Sequence, residues 1–314
     1  MSTNLSGKLI VLFGGSGFIG NYVAQALLDR GARLRIASRH PEKAHGLKPL
    51  ANLGQMQFTR CDIRRQKDVA TALRGADGVV NLVGAFSGNL ELLMGTVPGE
   101  MARIAAAEGA TGFVHLSASA ANPNGDTEYA RAKALGERLV QQHFPRATIL
   151  RPTIVFGQDD NFINMFAQLI QWFRVLPVFG PDAPLQLVHV ADVAEAAAAA
   201  LADPATHGGR TYELGGPDTV TMMELNRRIA ASQRRRRTFL PVPDPASGLF
   251  ARLPGTPMST QQWKMLKQGT VVSGQYAGFA ELGITPRPLD LFLDDWMTRY
   301  RRQGRFAERT GYVR

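Results

Sequence analysis

The chain has 314 residues, of which 45% are hydrophobic and 20% are charged, and its formal net charge is +10 at neutral pH. This balance is ordinary for a soluble globular protein and excludes a wholly disordered chain. No apolar run approaches the roughly 20 residues that a membrane-spanning helix needs. The positive charge favours acidic partners: phosphates, nucleic acid, anionic lipid or an acidic protein.

Residue types that build covalent or metal centres are scarce. Cys61 is the single cysteine, so neither an intramolecular disulfide nor a cysteine-based metal site can form. The six His are scattered without ligand spacing, and we predict no metal site. Because Met1–Lys8 lacks the apolar core of a signal peptide, we expect the protein in the cytoplasm.

The first half of the chain alternates short apolar runs with segments of helical periodicity. The apolar runs predict strands at Leu9–Phe13, Leu34–Ala37, Met56–Phe58, Val79–Val83, Phe113–Leu116 and Thr148–Leu150. The helical patterns fall at Phe18–Leu28, Val69–Leu73, Glu100–Glu108 and Thr127–His143, with the third helix starting at or just after Pro98. This rhythm predicts an α/β fold with right-handed crossovers and a Rossmann-type, doubly wound parallel sheet in residues 1–155.

The remaining residues, 156–314, predict a smaller mixed lobe. Helical patterns cover Asn161–Phe173 and Val190–Leu201, and short strands are predicted at Gln186–His189 and Thr211–Leu214. A Pro-rich connector follows at Pro241–Pro257. Basic residues cluster at Arg234–Arg237, without any nucleic-acid-binding motif.

A glycine-rich loop joins the first predicted strand to the first predicted helix. Its residues are Gly14, Gly15, Ser16, Gly17, Phe18, Ile19 and Gly20. Glycine permits a turn that a Cβ would obstruct and lets a pyrophosphate approach the main chain, while the helix N-terminus offers free N–H groups. The loop therefore predicts that residues 1–155 bind a nicotinamide dinucleotide; a purely structural turn is the alternative.

Residues after the second, third and fourth strands complete the predicted cofactor site. Ser38 and Arg39 stand where an NAD enzyme commonly carries a carboxylate, and Arg39 can pair with a 2′-phosphate, so NADP(H) is preferred over NAD(H). The alternative is that Arg39 is merely an exposed cation. Asp62 and Ile63 are predicted to reach the adenine, although Asp62 could equally cap the next helix. Val83 and Gly84 are predicted to border the nicotinamide ribose.

Tyr129 and Lys133 are spaced four residues apart and so share one face of a predicted helix. A Lys ammonium close to a phenol stabilises the phenolate and lowers its pKa. Such a Tyr can exchange a proton with a substrate while hydride moves to or from the cofactor. The alternative is a surface pair without chemistry.

Together with Arg151-Pro152-Thr153, these motifs resemble the extended or atypical short-chain dehydrogenase/reductase superfamily. The resemblance implies that Tyr129 and Lys133 bind the nicotinamide ribose, that Tyr129 donates a proton, and that a Ser polarises the substrate. In Leu116-Ser117-Ala118-Ser119 the family's Ser position falls on Ala118, with Ser117 and Ser119 on either side, and Ser117 is the candidate if a Ser acts at all. Further similar stretches are Phe13–Gly20, Val79–Gly84, Leu150–Gly157 and Arg210–Pro217, which resemble the 39 kDa NADPH-binding accessory subunit of respiratory complex I and its bacterial relatives.

Two main functions follow from this resemblance. The first is an NADP(H)-binding accessory subunit of, or associated with, respiratory complex I, whose nucleotide is not turned over. The second is an active NAD(P)-dependent reductase, epimerase or dehydratase on a small or lipophilic substrate such as a quinone precursor, with Tyr129 as proton donor and Lys133 lowering its pKa. A redox sensor is a third interpretation.

The basic C-terminal region predicts contact with complex I subunits or with an anionic membrane surface on the inner face of the plasma membrane. There Trp296, Tyr300 and Phe306 lie among Arg299, Arg301, Arg302 and Arg305. The alternative is a helix that packs on its own lobe and then frays.

Overall fold

The structure is a computed structural model of the chain and describes residues 5–242 and 269–302. These residues belong to two compact units. The first unit falls within Met1–Thr153, Val190–Gly215 and Val272–Thr285, and the second within Ile154–His189, Gly216–Val271 and Pro286–Arg314. The single boundary predicted after residue 155 is therefore wrong in one respect, because the chain re-enters the first unit twice after leaving it.

The helices and strands follow one another in a largely alternating order. The chain begins with β1 (Leu9–Phe13), α1 (Phe18–Leu28), β2 (Arg33–Ser38), β3 (Met56–Arg60), α2 (Gln66–Leu73), β4 (Gly78–Asn81), α3 (Val97–Ala107), β5 (Gly112–Leu116), α4 (Glu128–His143) and β6 (Thr148–Pro152). It continues with β7 (Val155–Phe156), α5 (Phe162–Trp172), β8 (Val175–Phe179), β9 (Pro184–Leu185), β10 (Val188–His189), α6 (Val190–Ala202), α7 (Pro204–His207) and β11 (Thr211–Leu214). The last elements are β12 (Val220–Thr221), α8 (Met222–Ser232), β13 (Thr238–Val242) and α9 (Asp290–Trp296).

Seven parallel strands form the central sheet of the first unit, in the order β11–β6–β5–β4–β1–β2–β3. This order confirms the predicted Rossmann-type doubly wound fold. The predicted short strand at Thr211–Leu214 is β11, and it belongs to this sheet rather than to a separate lobe, because it pairs with β6. That pairing is why the chain returns to the first unit.

Helices cover both faces of the sheet, so the central strand β1 is apolar along its whole length. All five residues of β1 are buried. On one face Val11 and Phe13 join a cluster with residues of α2, α3 and α4. On the other face lie α1 and α6, which contact each other, and Leu201 of α6 packs against Gly78. Two buried faces are what a parallel sheet requires.

Helical structure near Pro98 begins earlier than the sequence predicts. A π-helical segment at Glu91–Thr96 leads directly into α3, and Pro98 occupies the first turn of that helix. Proline is tolerated there because its missing N–H would have no partner in an ordinary first turn. The strand predicted at Val79–Val83 is shorter, ending at Asn81.

The edge strand β11 also holds the second returning segment of the first unit. Glu213 is buried, and its carboxylate accepts hydrogen bonds from the Ser273 N–H at 2.6 Å, the Ser273 hydroxyl and the Gly274 N–H. Tyr212 forms an isolated parallel bridge with Ala277. These bonds satisfy a buried charge and cover one edge of the sheet.

The second unit contains three two-stranded sheets, pairing β7 with β10, β9 with β12, and β8 with β13. Its core joins α5, α8 and α9 and includes Trp296 and Tyr300. Those two aromatic side chains are therefore buried in their own unit, and the prediction that they form a partner surface is wrong. Phe306, Arg305 and residues 243–257 of the predicted connector lie outside the described residues. Within the described residues no helix is both long and apolar enough to span a bilayer.

Replacing Gly136 of α4 should destabilise the first unit. A Cβ at this position would overlap the carbonyl oxygen of Met94 in the π-helical segment. We expect Gly136→Ala to lower the free energy of unfolding by about 2–3 kcal/mol. In the matched control Gly46→Ala the added methyl has no neighbour within 4 Å, and the change should stay within about 0.5 kcal/mol. Urea unfolding followed by circular dichroism measures both; equal losses would contradict the packing described here.

Candidate functional site

The backbone around the glycine loop is packed too closely for a side chain at Gly14 or Gly20. Gly14 has a positive φ of +82°, and a Cβ there would lie 3.2 Å from the carbonyl carbon of Leu82. A Cβ at Gly20 would lie 2.5 Å from the carbonyl oxygen of Gly14. The first turn of α1 therefore rests directly on the loop, as a close backbone approach requires.

The N-terminus of α1 is open to a phosphate. Gly17 is its N-cap and supplies no side-chain cap, and the first turn, which contains Phe18 and Ile19, holds no carboxylate. The first N–H groups of a helix have no intrahelical acceptor and carry a partial positive charge. Ser16 lies beside them, and its hydroxyl is 2.9 Å from that of Ser38 at the end of β2.

Arg39, directly after β2, is exposed and makes no side-chain hydrogen bond or ion pair within the described residues. Asp62, after β3, is bound on both carboxylate oxygens by the Arg64 guanidinium, at 2.9 and 2.6 Å. This hydrogen bonding lowers the pKa of Asp62 to about 2. The alternative role of Asp62 as a helix cap is wrong, because the N-cap of α2 is Arg65. Ile63 is partly buried against the core beside the sheet.

The last residue of β4 and a residue of β5 form a buried polar pair that the sequence analysis missed. Asn81 accepts a hydrogen bond from the Val83 N–H through Oδ1, which directs its Nδ2 to His115 Nδ1 at 3.1 Å. Because Nδ1 accepts, the neutral ring carries its proton on Nε2. Burial, together with the charge of Lys133, lowers the pKa of His115 to about 3. Gly84 is exposed, with open space where a Cβ would lie.

Tyr129 and Lys133 lie in the first turns of α4, which begins with a hydrogen bond from the Ala130 N–H to the Thr127 hydroxyl. Tyr129 is 9% exposed and stacks on Phe86, with ring centroids 5.1 Å apart. Lys133 Nζ donates to the carbonyl oxygen of Leu116, at 2.8 Å, within the buried end of β5.

The predicted lowering of the Tyr129 pKa is wrong for this structure. Burial raises the pKa of Tyr129 to about 12. Burial also lowers the pKa of Lys133 to about 8, although Glu137 opposes this shift. For the pKa of Tyr129, desolvation outweighs the charge of Lys133 because the ammonium is bound to a carbonyl oxygen rather than to the phenol. Tyr129 is therefore a protonated hydroxyl at neutral pH.

Ser117 is the first residue after β5 and is 4% exposed. Its N–H donates to the Leu150 carbonyl oxygen, while its hydroxyl has no partner within the described residues. Lys133 binds the carbonyl oxygen of Leu116, the residue before Ser117. Ser117 and the Tyr129–Lys133 pair therefore meet at the same end of β5. A buried hydroxyl without a partner is rare and marks a position where a ligand can supply the missing bond.

Glu137 and Arg151 form a second feature that the sequence analysis missed. Arg151 donates to both carboxylate oxygens of Glu137, at 2.9 and 2.6 Å, and its guanidinium lies 4.6 Å from the ring centre of Tyr276. Glu137 follows Lys133 by four residues and so lies on the same face of α4. That spacing was the available signal in the sequence, since a buried ammonium needs a nearby carboxylate.

The predicted cofactor residues of the first unit lie at one edge of its sheet. β2, β1, β4 and β5 are adjacent in the sheet order, and all run parallel. Ser38 ends its strand, and Gly14, Val83 and Ser117 follow theirs, so the loops leave the same edge. The strand order reverses at β1 and β4, which is where dinucleotides bind in open α/β sheets. No group of three or more His, Cys, Asp or Glu that could hold a metal ion occurs in residues 5–242 and 269–302.

The family model of the NAD-dependent epimerase/dehydratase family matches residues 10–215. The chain belongs to this family. The matched span covers the glycine loop, the Tyr129–Lys133 pair and the strand β11 that completes the sheet.

Curated relatives extend the similarity over nearly the whole chain. The chain is 30% identical over 314 residues to NADH dehydrogenase (ubiquinone) 1 alpha subcomplex subunit 9, mitochondrial, of Mus musculus, covering 95% of this chain and 82% of the relative. It is 29% identical to the NADH-ubiquinone oxidoreductase 40 kDa subunit of Neurospora crassa, covering 95% and 81%. A ceramide reductase of Caulobacter vibrioides is 27% identical over 62% of this chain and 61% of its own length.

Solved structures share the fold at lower identity. A nucleoside-diphosphate-sugar epimerase from Staphylococcus aureus superposes with a TM-score of 0.73 at 17% identity, covering 91% of this chain and 99% of that structure. An NADPH-dependent quinone oxidoreductase from Escherichia coli, solved with NADPH, also gives 0.73 at 17% identity, covering 92% and 99%.

The buried ammonium of Lys133 should give stability a measurable pH dependence. In the folded state its pKa is about 8, against 10.5 for the free side chain. Between these values the unfolded chain binds the extra proton, so folding becomes more favourable as pH rises. Relative to Lys133→Met, the free energy of unfolding should increase by about 2 kcal/mol from pH 7.5 to 10. Urea unfolding of both proteins at each pH tests this, and a pH-independent difference would mean that Lys133 is solvated.

Proposed function

We propose that this protein is an NADP(H)-binding accessory subunit of, or associated with, respiratory complex I. The observation that carries the proposal is the glycine loop, on which the first turn of α1 packs too closely for a Cβ at Gly20, so that the uncapped helix N-terminus lies directly beside the loop. Complex I subunits among the relatives align with 95% of the chain, which supports the association.

The residues present fit a nicotinamide dinucleotide. The N–H groups at the start of α1 and the Ser16 hydroxyl would bind the pyrophosphate, as helix N-termini do. Arg39, which has no side-chain partner within the described residues, would bind a 2′-phosphate through its planar guanidinium. Asp62 and Ile63 would border the adenine, and Val83 and Gly84 the nicotinamide ribose.

A role in holding rather than turning over the nucleotide agrees with the chemistry of the predicted pair. When bound, the cofactor supplies or accepts hydride. Tyr129, with a pKa near 12, keeps its proton and can donate a hydrogen bond to a ribose hydroxyl. Lys133 is fixed by the Leu116 carbonyl oxygen and can donate a further hydrogen bond. Both groups therefore suit tight binding.

A location in the cytoplasm, peripheral on the inner face of the plasma membrane, is part of the proposal. The net charge of +10 supports contact with an anionic surface or an acidic partner. The names of the relatives support complex I subunits as that partner.

An active reductase, epimerase or dehydratase on a small or lipophilic substrate is the second candidate. The observation that favours it is the unpartnered Ser117 hydroxyl, which lies at the same strand end as Tyr129 and Lys133. In that case Ser117 would bind a substrate oxygen while Tyr129 transfers its proton to the substrate.

The first experiment is to purify the full chain, release its bound nucleotide and identify it. We expect NADP(H), and the proposal fails if the protein neither carries nor takes up any pyridine nucleotide. Arg39→Ala should weaken NADPH binding by about 10- to 100-fold, because it removes a charge-assisted pair, and change NADH binding little. Arg33→Ala at the opposite end of β2 is the matched control, since Arg33 is also exposed. Equal losses for both nucleotides would contradict the role of Arg39.

Tyr129→Phe separates the two candidate functions. The variant keeps the ring stacked on Phe86 but lacks the hydroxyl. If the protein is an accessory subunit, no ketone, quinone or nucleotide sugar oxidises its bound NADPH, and the variant still co-purifies with respiratory subunits. If it is an enzyme, turnover of one of these substrates falls by about 100-fold or more. Tyr276→Phe, which removes a hydroxyl from a partly exposed ring over Arg151, should leave that turnover unchanged.

A further inference from the structure

A cavity of about 820 Å³ in the second unit lies beside α5 and the C-terminal end of α8. Seven of its twelve lining residues are arginines: Arg174, Arg234–Arg237 and Arg301–Arg302. None of the twelve is Asp or Glu. We call this site the arginine cavity, and its volume is in the range of small-molecule binding sites.

Backbone carbonyl groups hold three of these guanidinium groups in place. Arg235 donates to the Tyr300 carbonyl oxygen at 2.9 Å, and Arg237 to that of Ile170 at 2.7 Å. Arg301 donates to the carbonyl oxygen of Ser232 at 2.9 Å. Carbonyl oxygens fix the direction of Arg235 and Arg237 without neutralising their charge, whereas Arg301 also lies 3.9 Å from Asp294 Oδ1. These side chains are therefore ordered and still cationic.

Three further arginines are available to a ligand. Arg174, Arg236 and Arg302 are exposed and make no side-chain hydrogen bond or ion pair within residues 5–242 and 269–302. Burial and the neighbouring charges of Arg237 and Arg302 lower the pKa of Arg235, as expected where cations repel one another. A concentration of like charge with no carboxylate among the lining residues opposes folding unless an anion offsets it.

The backbone is also unusual where the arginine run begins. Arg234 has a φ of +55°, and no other non-glycine residue in the described chain has a positive φ. Its N–H donates to the Ala231 carbonyl oxygen and that of Arg235 to the Ala230 oxygen, which is the Schellman pattern that ends a helix. Glycine or asparagine usually occupies this left-handed position, and a bulky side chain there is strained. Such strain is concentrated at functional sites.

We propose that the arginine cavity binds a ligand that carries two or more closely spaced phosphate groups. Several planar guanidinium groups around one concavity match adjacent phosphates, each of which accepts paired hydrogen bonds. This site goes beyond the proposed function, because it lies in the second unit and uses none of the predicted nucleotide-binding residues. The phosphates could belong to a soluble polyphosphate or to a lipid headgroup, and Trp172 on its rim, 79% exposed, suits either a stacked base or a membrane interface.

The test uses the full chain and two probes. Inorganic tripolyphosphate is titrated by calorimetry, and vesicles of phosphatidylcholine with cardiolipin are compared with phosphatidylcholine alone in a sedimentation assay. The triple variant R174Q/R236Q/R302Q removes three charges and keeps the three arginines held by carbonyl groups. We expect it to bind on the order of 100-fold more weakly.

The matched control is R33Q/R138Q/R227Q, which removes the same charge from exposed residues that do not line the cavity. It should bind as the unsubstituted protein does. If tripolyphosphate binds and only R174Q/R236Q/R302Q loses this binding, the result supports a soluble ligand. If only the vesicles with cardiolipin bind, and only R174Q/R236Q/R302Q loses this binding, the result supports a lipid headgroup. Binding of neither probe, or equal losses in both triple variants, overturns the proposal. Thermal melts of both variants confirm that they fold.

Discussion

The contact between the first turn of α1 and the loop that precedes it sets the geometry of the first unit. The Gly14 carbonyl oxygen lies where a Cβ of residue 20 would have to be. The first turn of α1 therefore packs directly on the loop that follows β1, and its unpaired N–H groups lie at that end of the sheet. Because β1 lies in the middle of the sheet, this position also fixes where the neighbouring loops must leave their strands.

Burial rather than charge controls the chemistry at the end of β5. Tyr129 lies beneath Phe86, and Lys133 donates to a main-chain oxygen, so both prefer their neutral forms more than they would in water. The neighbouring His115 is neutral for the same reason. The site is thus a collection of hydrogen-bond donors in a medium of low polarity, which favours retention of a polar ligand over proton transfer.

The sequence contains enough information to predict features that depend on neighbouring residues. β1 and α1 have the predicted bounds, because a continuous apolar run and a glycine turn specify them locally. The return of the chain at Val190 was not predictable, since it depends on pairing between β11 and β6 across 60 residues or so of intervening chain. The return at Val272 depends in turn on contacts with β11. The Asn81–His115 bond joins two strands in the same way. The direction of the Tyr129 pKa shift could not be predicted either, because spacing along a helix does not reveal burial.

The hydrogen bonds that Ser273 and Gly274 donate to Glu213 affect where the chain can be cut without loss of stability. A fragment ending at residue 215 would match the family span and retain every strand of the sheet. It would nevertheless lose Ser273 and Gly274, and leave a buried carboxylate without the three donors that now solvate it. A hydrogen bond to a charged group contributes about 1.5–3 kcal/mol, so the loss of these bonds would remove a large part of the stability of a typical domain. The span that matches the family model is therefore not, in this protein, a unit that keeps all of its internal contacts when it is cut out.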